Sequence, residues 1–582
     1  MIPGNYLIIH GAADPETCDR LLKRARSHDP LLVQRFRSAA FNLFADPALP
    51  CALMAEGRGA ILGVLHGPDA RAFDATTGHG EHLAFSDWRA VIRDNWGDYV
   101  IVAEGDDPTD AWVARSPMGH LPCYYAEHEG VVIVSNTARL IQATGVPLTI
   151  DREAVQRHLL NINARLASTC LHGLKEVEAG HQLCLESGHP VTSSHWRPWR
   201  FAGREGQVDE LGRAPGLVRE RIIDATAKQA SGRNHILLGL SGGLDSSILA
   251  ASMAAADVEF SCFTLVTPDG AGDERRYARL VAEHLGKPLF EIEERCDDID
   301  ITHSSAAHLP RPVSRCFAQS GDRIQMELAD RIGADAYMSG GGGDNIFCYV
   351  HSARPFADRL LETGPGIHAW TTAKDLALLT DSPQWKVMWR GLNRAWARSR
   401  DYHWPLERAF LGPEARSVAQ SEITHEWMRA PPGELPGKAQ HIAWILGVLN
   451  HLEGHEREHA RPTLWPLLAQ PVVETCLSIP SWAWISGGQN RVIARQGFAE
   501  LLPSEILERR SKGSPDSFVI DLFESNKSRI EAWLCEGWLA GQGLIEVDAI
   551  SRRCRQPQVH RDTSCWKIFR LVDAESWARC WL

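Results

Sequence analysis

"HILLGLSGGLDSSILAAS", His235–Ser252, reads as an apolar strand that runs into two adjacent glycines and an acid, then into an Ala-rich helix. Ligands of open parallel sheets sit beyond the carboxyl ends of the strands, and this turn lies at such an end. Gly242 and Gly243 permit close backbone approach, and the helix that follows offers N–H groups to an anion. Ser241, Ser246 and Ser247 add small hydroxyl donors, so the turn reads as a phosphate cradle. It is not a GxxxxGK[ST] loop; the nearest approach, "GELPGKA" at Gly433–Ala439, has the wrong spacing and no final Ser or Thr. Where such a loop carries lysine, this one supplies Asp245, and a carboxylate beside phosphates calls for a divalent cation between them, usually Mg²⁺.

A second turn repeats the design. "ADAYMSGGGGDNIF", Ala334–Phe347, runs from a strand through Ser339 and four glycines to Asp344. Asp245 and Asp344 on neighbouring strand ends would form the carboxylate pair that Mg²⁺ on a triphosphate requires. Around both turns strand and helix patterns alternate from about residue 217, which predicts a parallel sheet covered by helices. Residues 1 to about 200 carry short apolar runs between turns ("YLIIHG", "AILGVLHG", "DYVIVAEGD", "VVIVSN"), which predict a β-rich first domain. "RPWRFAGREGQVDELGRAPG", Arg197–Gly216, reads as a linker, and the chain beyond about 350 as mainly helical and Trp-rich.

The 582 residues are too many for one core. A net charge of −12 with no Lys/Arg block argues against a nucleic-acid partner. No apolar run approaches the roughly 18 residues that span a bilayer, and "MIPGNYLIIHGAADPE" lacks the basic start of a signal peptide, so a cytoplasmic protein without a membrane partner is expected. Fourteen cysteines without CxxC spacing read as reduced thiols.

The loop "SGGLDSS" resembles the pyrophosphatase-type ATP loop of the asparagine synthetase family. "DERRYARLVAEHLG" (Asp273–Gly286), "SGGGGDN", "RPTLWPLLAQPVVE" (Arg461–Glu474) and "ERRSKGSP" with Lys512 resemble its further synthetase motifs. "VARSPMGHLPCYYAEHEGVVIVSN" (Val113–Asn136) resembles its glutaminase-like domain. The resemblance implies an N-terminal glutaminase-like β-rich α+β sandwich over 1–200, degenerate in function. It implies an ATP-pyrophosphatase-type parallel-sheet α/β synthetase domain with a helical C-terminal part over 215–582. It also implies ATP contacts from Leu238, Gly239, Leu240, Ser241, Gly242, Gly243, Leu244, Asp245, Ser246, Ser247, Leu265, Ser339 and Gly340. Mg²⁺ would sit on Asp245 and Asp344, with Lys512 as the catalytic cation.

Two departures matter. Glutamine hydrolysis in this family needs an N-terminal cysteine, whereas residue 2 is Ile2 and the nearest cysteine is Cys18, so no glutaminase activity is expected. Three residues before Asp344, where asparagine synthetases have Glu and β-lactam-forming relatives Tyr, stands Gly341, which implies an emptied acceptor side and a bulky substrate. "WPLLAQPVVETCLSIP", "GGQNRVIARQGFAELLP" and "RRSKG" resemble the lasso-peptide macrolactam synthetases. That resemblance implies ATP-dependent closure of an isopeptide ring on a linear precursor peptide, alongside a leader-binding protein and a leader peptidase. A synthetase using free ammonia or a small amine is the alternative. His441, His451 and Glu453 are candidate general bases. "HEREH", His455–His459, matches a zinc-peptidase helix, with Glu456 as base, His451 continuing the spacing and Glu474 as a third ligand; Gly454 and Pro462 argue for a solvated helix instead.

Overall fold

A computed structural model describes residues 4–11, 15–67, 72–73, 88–105, 110–185, 190–266, 273–419, 423–510, 513, 516–557 and 564–582. Two antiparallel sheets form the first domain. One runs in the order Lys175–Glu176, Tyr124–His128, Val131–Ser135, Tyr6–His10, Phe41–Ala45, Val33–Arg37. The other runs Val191–Ser194, His181–Cys184, Ala111–Arg115, Trp96–Glu104, Gly59–His66, Cys51–Leu53, with Ala72–Phe73 paired beside Gly59–His66. Alternation along a strand sends successive side chains to opposite faces. Tyr6 and Ile8 therefore join Leu62, Val100 and Val113 between the sheets, while Leu7 and Ile9 face the helix Pro15–His28.

The second domain is built on a parallel sheet ordered Leu289–Glu293, Phe260–Val266, Ile236–Gly239, Ala336–Met338, Thr463–Leu464. From Ile236–Gly239 the chain winds outward through the next two strands, then returns to the other side of it. The order reverses between Ile236–Gly239 and Ala336–Met338, and such a reversal opens a crevice at the strand ends. Both glycine turns leave from those two strands.

One core runs across both domains: Leu7, Leu140 and Val155 belong to the same buried cluster as Ile248, Ile442 and Leu468. Arg197–Gly216 is not a free linker. It folds into the helix Trp199–Ala202 and two short 3₁₀ turns, and the helix Ala214–Ala230 begins within it. Trp199 is buried and donates its indole N–H to the Trp427 carbonyl at 2.7 Å. A second tryptophan anchor stands immediately before this segment, where Trp196 donates its indole N–H to Glu474 at 2.8 Å.

The domains meet on a buried ion cluster. Glu176, fully buried, takes Arg165 at 2.6 Å, Arg115 at 2.7 Å and Arg311 at 2.5 Å, and Arg165 reaches on to Glu453 at 2.7 Å. Burial pushes the Glu176 carboxyl up, but Arg165, Arg311 and Arg115 outweigh it and hold the group well below the usual carboxylate range. No helix among the described residues is long and apolar enough to cross a membrane.

Candidate active site

The first turn is shaped by its glycines and held by its serines. Gly242 has φ +68°, and a Cβ there would lie 2.4 Å from the Cβ of Tyr277, so neither backbone nor space admits another residue. Ser241 Oγ accepts from Gly243 N–H at 3.2 Å and meets Ser246 Oγ at 3.2 Å; Ser246 Oγ in turn donates to the Gly243 carbonyl. The helix Leu244–Ala255 then starts with its amino end at the turn.

The second turn packs directly on the first. A Cβ on Gly340 would lie 2.9 Å from Ser246 N, and one on Gly343 would lie 2.4 Å from Asp245 Cγ. This close approach brings Asp245 and Asp344 together, as their positions on neighbouring strand ends predict. Both Oδ1 atoms lie within reach of a single nitrogen, Arg491 Nη1, at 3.0 Å and 2.6 Å. Arg491 is 8 % exposed, has φ +56° and lies with its guanidinium 4.8 Å from the Tyr349 ring centre.

A cavity of about 230 Å³ opens over these groups, lined by Gly239, Ser241, Gly243, Leu244, Asp245, Ser246, Ser339, Gly340 and Gly341 from the two turns. Its other wall brings Arg491, Arg495, Ile506 and Arg509. Arg509 donates to the Gly242 carbonyl at 3.0 Å and to Glu274 at 2.5 Å, and Glu274 also accepts from Gly513 N–H at 3.0 Å. Arg495 is fixed by the carbonyls of Asn490 and Leu507; burial lowers its pKa to about 10, with Arg491 adding to the effect. Two carboxylates, three guanidiniums, small hydroxyls and a helix amino end suit a polyphosphate carried with a cation.

Several expectations change. Leu238 and Leu240 belong to the core, and Ser247 is wholly buried, so none of the three lends a side chain to the cleft. Leu265, next to last in its strand, packs against Gly321 in a separate apolar cluster. The space at Gly341 is not empty: a Cβ there would stand 2.5 Å from Cζ3 of the buried Trp465, whose indole fills it. Lys512 lies outside the described residues, as does Ile2. None of the candidate bases lines the cleft. His441 is buried against the Ile346 carbonyl, with burial and then Lys438 lowering its pKa to about 3. Glu453 is spent on Arg165, and His451 lines a separate small cavity with Arg311 and Arg570.

The "HEREH" stretch is no zinc helix. Glu456–His459 form a 3₁₀ turn, which removes the i, i+4 alignment of His455 and His459. His455 faces Asp322, Glu456 pairs with His303, and the His459 ring sits 5.0 Å from His308. Glu474 is bound by Trp196 and Gln470. Among the described residues no cluster of three or more His, Cys, Asp or Glu side chains is arranged to hold a metal. The arginines escaped the sequence reading, although Arg491 and Arg495 stand four apart on the one-turn helix entry after Gly487 and Gly488, a spacing that puts two cations on one face.

Comparison with known proteins agrees with this geometry. The asparagine synthase family model matches residues 217–579, and the glutamine amidotransferase domain model matches 84–196. "Amidase chry2" of Gibberella zeae is 25% identical over 312 residues, covering 49% of this chain and 43% of that protein. "Asparagine synthetase [glutamine-hydrolyzing] 1" of Bacillus subtilis is 20% identical over 419 residues, 69% and 65% of the two chains. "Carboxyethyl-arginine beta-lactam-synthase" of Streptomyces clavuligerus is 30% identical over 186 residues, 31% and 32%. The chain spans less than two thirds of the length of each of these relatives. A solved allosteric regulatory enzyme of purine biosynthesis aligns with 58% of this chain and 89% of its own at 11% identity, with a TM-score of 0.21, too loose to carry weight. An amidotransferase-type β sandwich joined to a parallel-sheet synthetase domain, with the match spanning most of the second, makes this chain a member of the asparagine synthase family.

Proposed function

We propose that this chain is an ATP-dependent carbon–nitrogen ligase that adenylates an Asp or Glu side chain of a precursor peptide and joins it to the peptide's N-terminal amine. The product is the macrolactam of a lasso peptide. The observation that carries the ligase reading is the pairing of Asp245 and Asp344 beneath Arg491, at the point where the sheet reverses. The peptide reading is supported by which segments wall the cleft. Arg491 and Arg495, which line the cleft, and Trp465, which packs behind its lining residue Gly341, belong to the two stretches that resemble macrolactam synthetases.

The carboxylate pair fits Mg²⁺. Both Oδ1 atoms converge on one cation, hard carboxylate oxygens suit this ion, and it takes its remaining ligands from phosphates and water. When bound, it would neutralise phosphate charge between Asp245 and Asp344. Ser241, Ser246 and the Gly243 amide would bind the phosphates, and Arg495 and Arg509 would balance charge on the departing pyrophosphate. In the first step a carboxylate oxygen of the peptide attacks the α-phosphorus, and the bond to the β-phosphate oxygen breaks. In the second the N-terminal amine attacks the acyl carbon, AMP leaves and the amine loses a proton. With a pKa of about 8, an α-amine is about one tenth neutral at pH 7, far more than a lysine side chain, which lessens the need for a strong base. The rest is orientation.

Glutamine is not the nitrogen source in this reading. Burial pushes the Cys18, Cys51, Cys123 and Cys170 thiols up, to about 11 for Cys123 and about 12 for Cys170, the reverse of an activated nucleophile. The purified enzyme should form no glutamate from glutamine. Mass spectrometry of the precursor peptide with ATP tests the whole proposal: loss of one water, with AMP and pyrophosphate formed one for one, is expected. Amide formation on ammonia or a small amine, with the peptide unchanged, would replace it with the small-amine ligase.

A further inference from the structure

Two helices, Ile367–Thr380 and Gln384–Ala395, form an antiparallel pair packed on the helix Arg354–Thr363. Among the described residues, six of the eleven exposed large apolar side chains lie on this pair: Ile367, Trp370, Leu378, Trp385, Trp389 and Trp396. Scattered single apolar residues are ordinary on a surface; a concentration within thirty positions is not. Trp385, Trp389 and Trp396 are 70%, 60% and 76% exposed. Their spacing puts them on one side of the second helix, while Val387, Gly391 and Ala395 turn inward.

A basic stripe runs beside the tryptophans. From Ser382 to Arg400 the chain carries Lys386, Arg390, Arg394, Arg398 and Arg400 and no acid, in a protein of net charge −12. None of these five forms an ion pair among the described residues. We propose that this face docks on an anionic lipid surface. Indole rings settle at the headgroup level, and adjacent basic side chains pair with anionic headgroups.

Three observations favour this occupant. A second copy meeting the same face would set basic stripe against basic stripe, so a two-fold dimer is opposed. No ring of Trp370, Trp385, Trp389 or Trp396 stacks on another aromatic ring among the described residues, so each is free to settle separately at the headgroup level. The net negative charge elsewhere is screened within about 8 Å at physiological salt, so the local basic stripe governs contact. Such docking is peripheral and needs no spanning segment, and it departs from the sequence expectation of no membrane partner. Leu378 packs on Gly488, three residues before Arg491, so the docked face adjoins the wall of the cleft.

The test is co-sedimentation of the full chain with phosphatidylcholine vesicles, alone or with about a quarter phosphatidylglycerol, at about 0.1 M salt. Binding to the anionic vesicles only is expected, with quenching of tryptophan fluorescence by brominated lipid. Each basic residue is worth about a fivefold gain in partitioning, so Arg390→Glu with Arg394→Glu should lower binding by far more than tenfold. Trp385→Ser, Trp389→Ser and Trp396→Ser together should abolish quenching while leaving ATP-dependent pyrophosphate release intact, which reports folding. Absence of vesicle binding by the wild-type chain overturns the proposal and leaves an acidic protein as the occupant. Equal binding to neutral vesicles, or undiminished binding by the triple tryptophan variant, overturns it too. The outcome is independent of which amide the cleft forms.

Discussion

Gly343→Ala probes the contact that the site depends on. The new Cβ would stand 2.4 Å from Asp245 Cγ, 2.5 Å from its Cβ and 2.9 Å from Oδ1. Carbon atoms rest at about 3.5–4.0 Å, so Asp245 or the second turn must move by about 1 Å. Neither is free to do so. Asp245 is held 3.0 Å from Arg491, and the turn is pinned where Gly340 meets Ser246 backbone. A displacement of about 1 Å at a catalytic group costs about a hundredfold in rate, or about 2.7 kcal/mol. Overpacking of this kind costs about 1–3 kcal/mol of stability. The assay is ATP- and Mg²⁺-dependent pyrophosphate release at saturating peptide, with thermal unfolding of the same samples. Gly216→Ala, in the helix Ala214–Ala230 with nothing within 4 Å of its Cβ, is the control and should gain up to about 1 kcal/mol. A folded Gly343→Ala enzyme within about threefold of wild type would refute the reasoning, because Asp245 would then not need its observed position.

Further outcomes follow from the same geometry. Asp245→Asn or Asp344→Asn should reduce pyrophosphate release by about a thousandfold or more in a folded protein, since each removes a hard ligand and a partner of Arg491; near wild-type turnover would end the assignment. Lys512→Ala should raise the barrier to single-turnover product formation by about 3 kcal/mol, a loss in rate on the order of a hundredfold, while changing ATP affinity much less, and Lys512→Arg should restore little; a pure rise in the Michaelis constant for ATP would make it a uniform binding residue. Glu176→Gln should cost about 3–5 kcal/mol at neutral pH, because it strands Arg115, Arg165 and Arg311 in the interior. Since the folded pKa of Glu176 is depressed, its contribution is full above the unfolded value of about 4.3 and is lost as pH falls through the folded one. Denaturation curves of the two proteins should therefore converge in strong acid and not in base.

The strand, the turn and the following helix were legible in "HILLGLSGGLDSS" because each is a local matter: apolar periodicity, a glycine that takes positive φ, and serines that bond within five residues. The same holds for "SGGGGDN", and the alternation of patterns carried the parallel sheet. What lies opposite the turns was not local. Arg491, Arg495 and Arg509 reach the cleft from about 250 residues beyond Asp245, and their local spacing, although it pairs Arg491 with Arg495, does not say which turns they face. The role of a charge depends on what surrounds it, which sequence spacing does not report. Gly341 reads as vacancy in the sequence, yet in the fold it is the room that Trp465 occupies, because volume is shared between segments more than a hundred residues apart. Glu453 and the "HEREH" histidines looked chemical by residue type alone; packing delivered Glu453 to Arg165 and turned Glu456–His459 into a 3₁₀ segment. Local chemistry fixed the cradle, and long-range packing decided which charges face it.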